Sequence, residues 1–285
     1  MNWETAKTWL IGAFLILDVI LGWQLVQSRR EMQGYVESSS DLLADTKTLL
    51  AEHGLSLATR VPESHPDMSS LHAQAPDVPL RDVGRAAFPK AKTLVIDNNA
   101  GTVSTREGRI QFQAVGTWQV DYTPPMAPGN HGVRGWLDNV WKGNEYVEDA
   151  ADTLPIVSSS AVPVFVEKYQ GFPIFDAQVI FQLAGKQLAG YTQSAIVNVY
   201  SVGGEKPIIS ALDALDGLAN AVDKSMGQGD NRILKIDLGY HQKVAIDPLG
   251  SPLAASDYWF PVWRVITAQQ VYYINAFTGE VDAAE

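Results

Sequence analysis

The chain has no cysteine in 285 residues. That excludes a disulfide framework, a thiolate metal site and a thiol nucleophile. It also lacks a phosphate-binding loop, a dinucleotide fingerprint, a nucleophile elbow and a zinc-protease helix motif. No low-complexity tract interrupts it. Positive charge is scarce, with 21 Lys and Arg against 32 Asp and Glu, net −11. The first 30 residues hold Lys7, Arg29 and Arg30 against Glu4 and Asp18, so the remainder carries 18 basic and 30 acidic residues, net −12. Such a surface repels nucleic acid and anionic headgroups and suits simple solubility, a cation or a basic partner.

What the chain does have is one long apolar run at residues 8–27, TWLIGAFLILDVILGWQLVQ. Twenty helical residues reach about 30 Å, the thickness of a bilayer's hydrocarbon core. Trp9 and Trp23 lie near its ends, where indoles favour the headgroup zone. Eleven Leu, Ile, Val and Phe side chains contribute about −5 kcal/mol to insertion, against about +3 for a central Asp. Residues 28–31 lack a small-x-small cleavage pattern, so the run reads as an uncleaved single-span anchor. Counting Lys and Arg alone, Arg29 and Arg30 outvote Lys7, which argues against an exported C-terminal part. Asp18 is costly in such a helix and defaults to a functional role with a partner. It shares a helical face with Ile11, Phe14, Gly22 and Leu25, and Gly22 would let a second helix approach closely. These five residues are the candidate partner-helix contact; no catalytic, cofactor or metal residue is assigned.

The remaining 255 or so residues are enough for one large or two modest cores. Residues 41–53 read as a helix capped by Ser40 or Asp41 and stopped by Gly54, either a stalk continuing the anchor or a docked helix. Residues 61–79, with Pro62, Pro66, Pro76 and Pro79, read as a linker. A short helix at 80–88 precedes four strands, at 93–97, 102–105, 110–114 and 117–122, closed by Pro124 and Pro125. Val133, Trp136, Leu137, Val140 and Trp141 have helical spacing, and a second helical piece is expected at 146–153. Residues 175–183 alternate as a half-buried strand, and 187–200 return as one long strand bent at Gly190. Pro207 opens a helix in which Ser210 and Asp213 have capping-box spacing. Strands follow at 233–238, 258–267 and 271–276.

Phe172-Pro173-Ile174-Phe175 and Phe260-Pro261-Val262-Trp263 form a weak internal repeat, each opening an alternating strand, with proline expected at the strand's first residue. The pattern predicts an α+β fold of antiparallel sheets with helices packed on one face, in two regions, 61–205 and 206–285, of which two related subdomains are one reading. The boundaries before them are 1–7, the span 8–27, and a linker or stalk 28–60.

Other candidates have bland explanations. His53, His65, His72, His131 and His241 show no ligand spacing and read as solvated loop residues. Asp213 and Asp216 share a helix face, more plainly a solvated one than an acid–base pair. Trp118, Trp136, Trp141, Trp259 and Trp263 sit in apolar patterns, so core packing outweighs a ligand groove.

Met1-Asn2-Trp3, Lys7-Thr8, residues 14–18 (FLILD) and Gln24 resemble the start of YycI-type proteins. The resemblance continues through residues 171–177 (GFPIFDA) and Tyr191-Thr192-Gln193. Residues 262–265 (VWRV) and 272–281 (YYINAFTGEV) are similar to PepSY-like units. The resemblance implies a single-pass cell-membrane protein with a cytoplasmic N-terminus and an extracellular domain. It implies a regulator, not an enzyme, acting with a YycH-type protein on the sensor histidine kinase YycG (WalK) of Gram-positive bacteria, whose pathway controls cell-wall metabolism. No cofactor is implied, and a homodimer is left open. An extracellular binding module for a wall fragment or peptide is the alternative.

Overall fold

The computed structural model describes residues 39–127, 132–149, 163–222, 231–242 and 257–283. By internal contacts the chain divides between residues 45 and 46. Of the first unit, residues 39–45 are described, as the opening of helix α1 (Ser39–Glu52). The second unit holds the rest of α1 and every later element. In chain order these are β1 (Ser56–Leu57), β2 (Met68–Gln74), α2 (Leu80–Ala87), β3 (Val95–Asp97), β4 (Thr102–Ser104), β5 (Gly108–Ala114) and β6 (Thr117–Met126). Two 3-10 segments, Val133–Asn139 and Gly143–Glu145, precede β7 (Tyr146–Glu148), β8 (Val164–Tyr169), β9 (Phe172–Ala184), β10 (Gln187–Ser194) and β11 (Val197–Lys206). Helix α3 (Ala211–Ala221), β12 (Arg232–Gln242), β13 (Tyr258–Thr267), β14 (Val271–Asn275) and β15 (Val281–Ala283) complete the described chain.

The strands form one open sheet in the order β11-β2-β13-β12-β9-β10-β6-β5-β4-β3. Strands β14 and β15 extend from β13, β7 and β8 from β9, and β1 lies beside β12. The fold is α+β, as the patterning predicts. Its ladders are antiparallel except at β1–β12 and β12–β9, which run parallel. The hairpins expected from the repeat, β9–β10 and β13–β14, are both present.

Strand β9 is the spine. Its period-two alternation buries Phe175, Ala177, Val179 and Phe181, and Ile174 is buried out of that phase, beside the register slip between β8 and β9. Ile174 and Ala177 join a core with Leu50, Leu71, Leu215, Leu218 and Trp263. Val179 and Phe181 join a second core with Val83, Trp118, Trp136 and Tyr191. One strand therefore nails two hydrophobic clusters together. Helix α3 covers the first through Ala211, Ala214, Leu215, Leu218 and Ala219. Each leucine there stabilises by about 2 kcal/mol through apolar burial. Trp263 Nε1 donates to the Ile209 carbonyl at 3.0 Å, fixing the entry to α3 against β13.

Two glycines permit close strand contact. A Cβ on Gly239 would stand 2.6 Å from both Phe175 Cζ and the Pro173 carbonyl, so β9 and β12 could not meet there otherwise. A Cβ on Gly190 would stand 2.2 Å from the Val120 carbonyl. At Gly190 the register slips against both β9 and β6, which is the predicted bend realised as a bulge.

Several expectations are corrected. The expected linker 61–79 contains β2, which pairs with both β11 and β13; the four prolines all flank the strand. The strand block does not close at Pro124: β6 continues to Met126, and the prolines fall where its register with β10 slips. The amphipathic helix at 133–141 is a 3-10 segment, since Gly135 and Asn139 weaken an α-helix. Residues 146–148 form a strand, as aromatic Tyr146 and β-branched Val147 favour, and pair with β8. Residues 187–200 are two strands, broken at Ala195-Ile196, and β11 leaves to pair with β2. Pro261 is not at a strand's first residue. Its carbonyl accepts from Ala276 N at 2.8 Å, and the reciprocal donor that proline lacks is replaced by Ile209 N, which donates to the Ala276 carbonyl at 2.8 Å. Pro173 likewise lies second in β9, beside Lys168.

Candidate functional site

The predicted contact residues Ile11, Phe14, Asp18, Gly22 and Leu25 lie outside the described residues, as does the whole run 8–27. Among the described residues no helix is long and apolar enough to cross a membrane. The other sequence candidates are placed as packing or capping groups. Trp118, Trp136, Trp259 and Trp263 are buried, so they line no groove. Asp213 closes the capping box of α3 with Ser210. His53 lies 3.5 Å from the Val222 carbonyl, and His65 3.1 Å from that of Glu63. His72 stacks with Tyr200, and His131 lies outside the described residues. Among the described residues no His, Asp and Glu group of three or more is placed to hold a metal.

The densest polar site is one the sequence reading did not single out. Strand register places Asp237 of β12 opposite Arg264 of β13, and Tyr273 of β14 on Arg264's other side. Asp149, just past β7, closes the group. Arg264 is 6% exposed and forks twice. Its Nη1 and Nη2 donate to Asp149 at 2.7 and 3.0 Å, while Nε and Nη2 donate to Asp237 at 2.9 and 2.6 Å. Lys235 Nζ stands 2.8 Å from Asp237 and 3.4 Å from Asp149. Two cations thus face two carboxylates. The guanidinium carbon also lies 3.9 Å from the centre of the Phe175 ring.

Burial lowers the pKa of Arg264, but its hydrogen bonds to Asp237 and Asp149 reverse that and hold it above the ordinary range. Tyr273 is pushed up to about 12 by burial, with Arg264 pulling it back. Its ring stacks on His241 at 3.8 Å, and His241 Nδ1 lies 2.9 Å from Asp176 Oδ1 without hydrogen-bond alignment. Asp176 instead accepts from Gln242 N at 2.6 Å. The arrangement pairs its charges internally. Chemically it is a clasp that fixes β7, β9, β12, β13 and β14 against each other.

A second buried polar cluster lies at the β7–β8 hairpin. Tyr146 and Glu167 are cross-strand partners. Gln193 Nε2 donates to the Tyr146 hydroxyl at 3.1 Å and to the Trp141 carbonyl at 2.8 Å. Glu167 Oε1 and Gln193 Oε1 are buried without a hydrogen-bond partner among the described residues. Burial raises the Glu167 pKa to about 7, opposed in part by the Tyr146 hydroxyl.

One sequence signal could have located the clasp. Arg264 is the single charge in the apolar run 258–266, and Lys235 and Asp237 alternate with Ile236. A lone charge inside a buried strand requires a partner. Asp149, 115 residues away, carries no local signal.

A family model described as YycI protein matches residues 44–277. No curated protein matches. Among solved structures, an uncharacterised protein from Eubacterium rectale is similar over 81% of this chain and 91% of its own. Its identity is 10% and its TM-score 0.45, too distant to carry an argument. The family match spans both hydrophobic cores and the Arg264 clasp, and on that match the chain belongs to the YycI family.

Proposed function

We propose that the chain is a membrane-anchored, extracytoplasmic regulator of the sensor histidine kinase YycG (WalK), in a pathway controlling cell-wall metabolism. The observation that carries this reading is the family match over residues 44–277. Residues 8–27 form the single span, residues 1–7 are cytoplasmic, and the sheet domain lies outside the membrane. Regulation rather than catalysis is the role the family supports. The anchor contacts a kinase helix through Asp18, whose cost in hydrocarbon is relieved by a polar partner, and Gly22 permits the approach. The domain contributes contacts to the kinase and to a YycH-type protein. Such contacts act by population shift: they alter kinase output only by binding one signalling state better than the other.

The test replaces Asp18 with Leu in the full chain and measures crosslinking from positions 11–25 to the kinase in intact cells. The expected result is weaker crosslinking and altered kinase output, by about 3–10-fold for a lost interhelical hydrogen bond. Unchanged crosslinking and output would remove Asp18 from the mechanism.

A further inference from the structure

The chain is acidic as a whole, yet residues 81–109 hold six basic residues (Arg81, Arg85, Lys90, Lys92, Arg106, Arg109) against three acidic ones (Asp82, Asp97, Glu107). The fold concentrates five of the six. Helix α2 turns Val83, Gly84 and Ala87 inward. Gly84 sits so close to Leu94 and Val103 that an added Cβ would lie 3.2 and 3.1 Å from them. Arg81 and Arg85, one turn apart on the same helix, are therefore left on the exposed side. The chain then turns at Phe88, with Ala91 N bonded to its carbonyl at 3.1 Å, and presents Lys90 and Lys92 to solvent. Across from them Arg106 stands at the tip of the β4–β5 hairpin. That tip is fixed by Thr105 N to the Gly108 carbonyl and Glu107 N to Thr105 Oγ1, both 2.9 Å.

These cations surround a recess rather than a flat face. Three adjoining concavities of about 740, 550 and 390 Å³ meet around residues 89–93. Lys90 and Arg106 border two of them, Lys92 borders two, and Arg81 and Arg85 border the third. Thr93, Ser104 and Thr105 add hydroxyl donors along the largest. Asp82 and Glu107 are the acidic residues beside them, which leaves an excess of three positive charges. Among the described residues none of the five cations makes an ion pair, in contrast to Arg264, Lys235 and Lys142.

We infer that this recess binds a flexible phosphodiester polyanion, a chain of repeated phosphates lying along residues 89–93. Arginine forks match phosphate oxygens two at a time, lysines add point charge, and the hydroxyls complete the shell. The net negative field of the protein opposes any single anion. A ligand that makes several contacts at once overcomes that field, so a polymer is selected over inorganic phosphate. The concave shape selects a chain over a planar lipid surface.

The test uses the full chain held in phosphatidylcholine nanodiscs, which occupy the anchor and leave added vesicles intact. It titrates a poly(glycerol phosphate) chain, inorganic phosphate and phosphatidylglycerol vesicles. The polymer binds saturably, and with four phosphates neutralised log K falls with log salt at a slope of about −3. The variant Lys90→Ala, Lys92→Ala, Arg106→Ala binds the polymer about 30-fold or more weakly, from three lost charge-assisted contacts. A control, Lys168→Ala, Lys186→Ala, Lys206→Ala, changes net charge equally at exposed sites elsewhere and stays within about twofold. Thermal midpoints of both variants confirm that the fold is kept. The inference is overturned by no polymer binding, by equal loss in both triple variants, or by binding to vesicles in preference to the free chain.

Discussion

The Arg264 cluster and the Glu167 cluster both sit where the β7–β8 hairpin meets the main sheet, and both are buried. They differ in how their polar atoms are paired. Arg264 meets two carboxylates through four hydrogen bonds, with Lys235 beside them. Glu167 and Gln193 each retain a buried oxygen without a partner among the described residues. The first cluster pairs its cations with carboxylates. The second holds a carboxyl whose pKa, raised to about 7 by burial, lets it exchange a proton in the physiological range. One hairpin is thus held by a fixed clasp at one end and by a pH-dependent contact along its strands.

The comparison breaks most visibly at Arg264. Arg264→Met keeps much of the side-chain volume over Phe175 but removes four hydrogen bonds from Asp149 and Asp237, which keep Lys235 beside them. Removing one member of a buried ion cluster costs about 3–5 kcal/mol, because the charges left behind are uncompensated. Urea unfolding of the full chain, followed by tryptophan fluorescence, should show that loss. A loss below about 1 kcal/mol, the range of a surface pair, would mean the cluster is no clasp.

How much of this was legible follows from the range of each interaction. Strands β9 and β13 and helix α3 were readable because their signals are local: alternation from Phe175 to Phe181, and Ser210 three residues before Asp213. The tryptophans read as core, and four of the five are buried. Strand β2 was not readable. Its sequence, MSSLHAQ, has no β-branched residue, and its flanking prolines imitate a linker. It is a strand because β11 and β13 supply ladders on both sides, which is tertiary context. The clasp was half legible: Arg264 announces itself within an apolar strand, while Asp149 is chosen only by the fold. The recess around residues 89–93 is a local reversal of charge that the overall −11 hides.

Glu167 sharpens the comparison from the other side. Its folded pKa of about 7 lies above the ordinary 4.5, so the folded state holds the proton more tightly than the unfolded chain does. Its contribution to stability is complete below pH 4.5 and is lost as pH rises through 7. A raise of that size corresponds to about 3 kcal/mol at most. Glu167→Gln keeps the shape and removes the titration. The variant should therefore gain stability over the parent progressively between pH 4.5 and 7, with a constant margin above. A margin that does not change with pH would assign the buried carboxylate no such role.

The smallest effect belongs to a polar group that is paired but exposed, the cap of α3. Ser210 Oγ accepts from Asp213 N at 3.1 Å, and Ser210 N donates to Asp213 Oδ2 at 3.1 Å. Water can replace either bond, so Ser210→Ala should cost only about 1 kcal/mol. Helix α3 would still be held by Leu215 and Leu218, both fully buried. Measured in the same urea series, this variant calibrates the other two. If it cost as much as Arg264→Met, burial would not be what separates the clasp from an ordinary hydrogen bond, and the contrast between the two clusters would lose its physical basis.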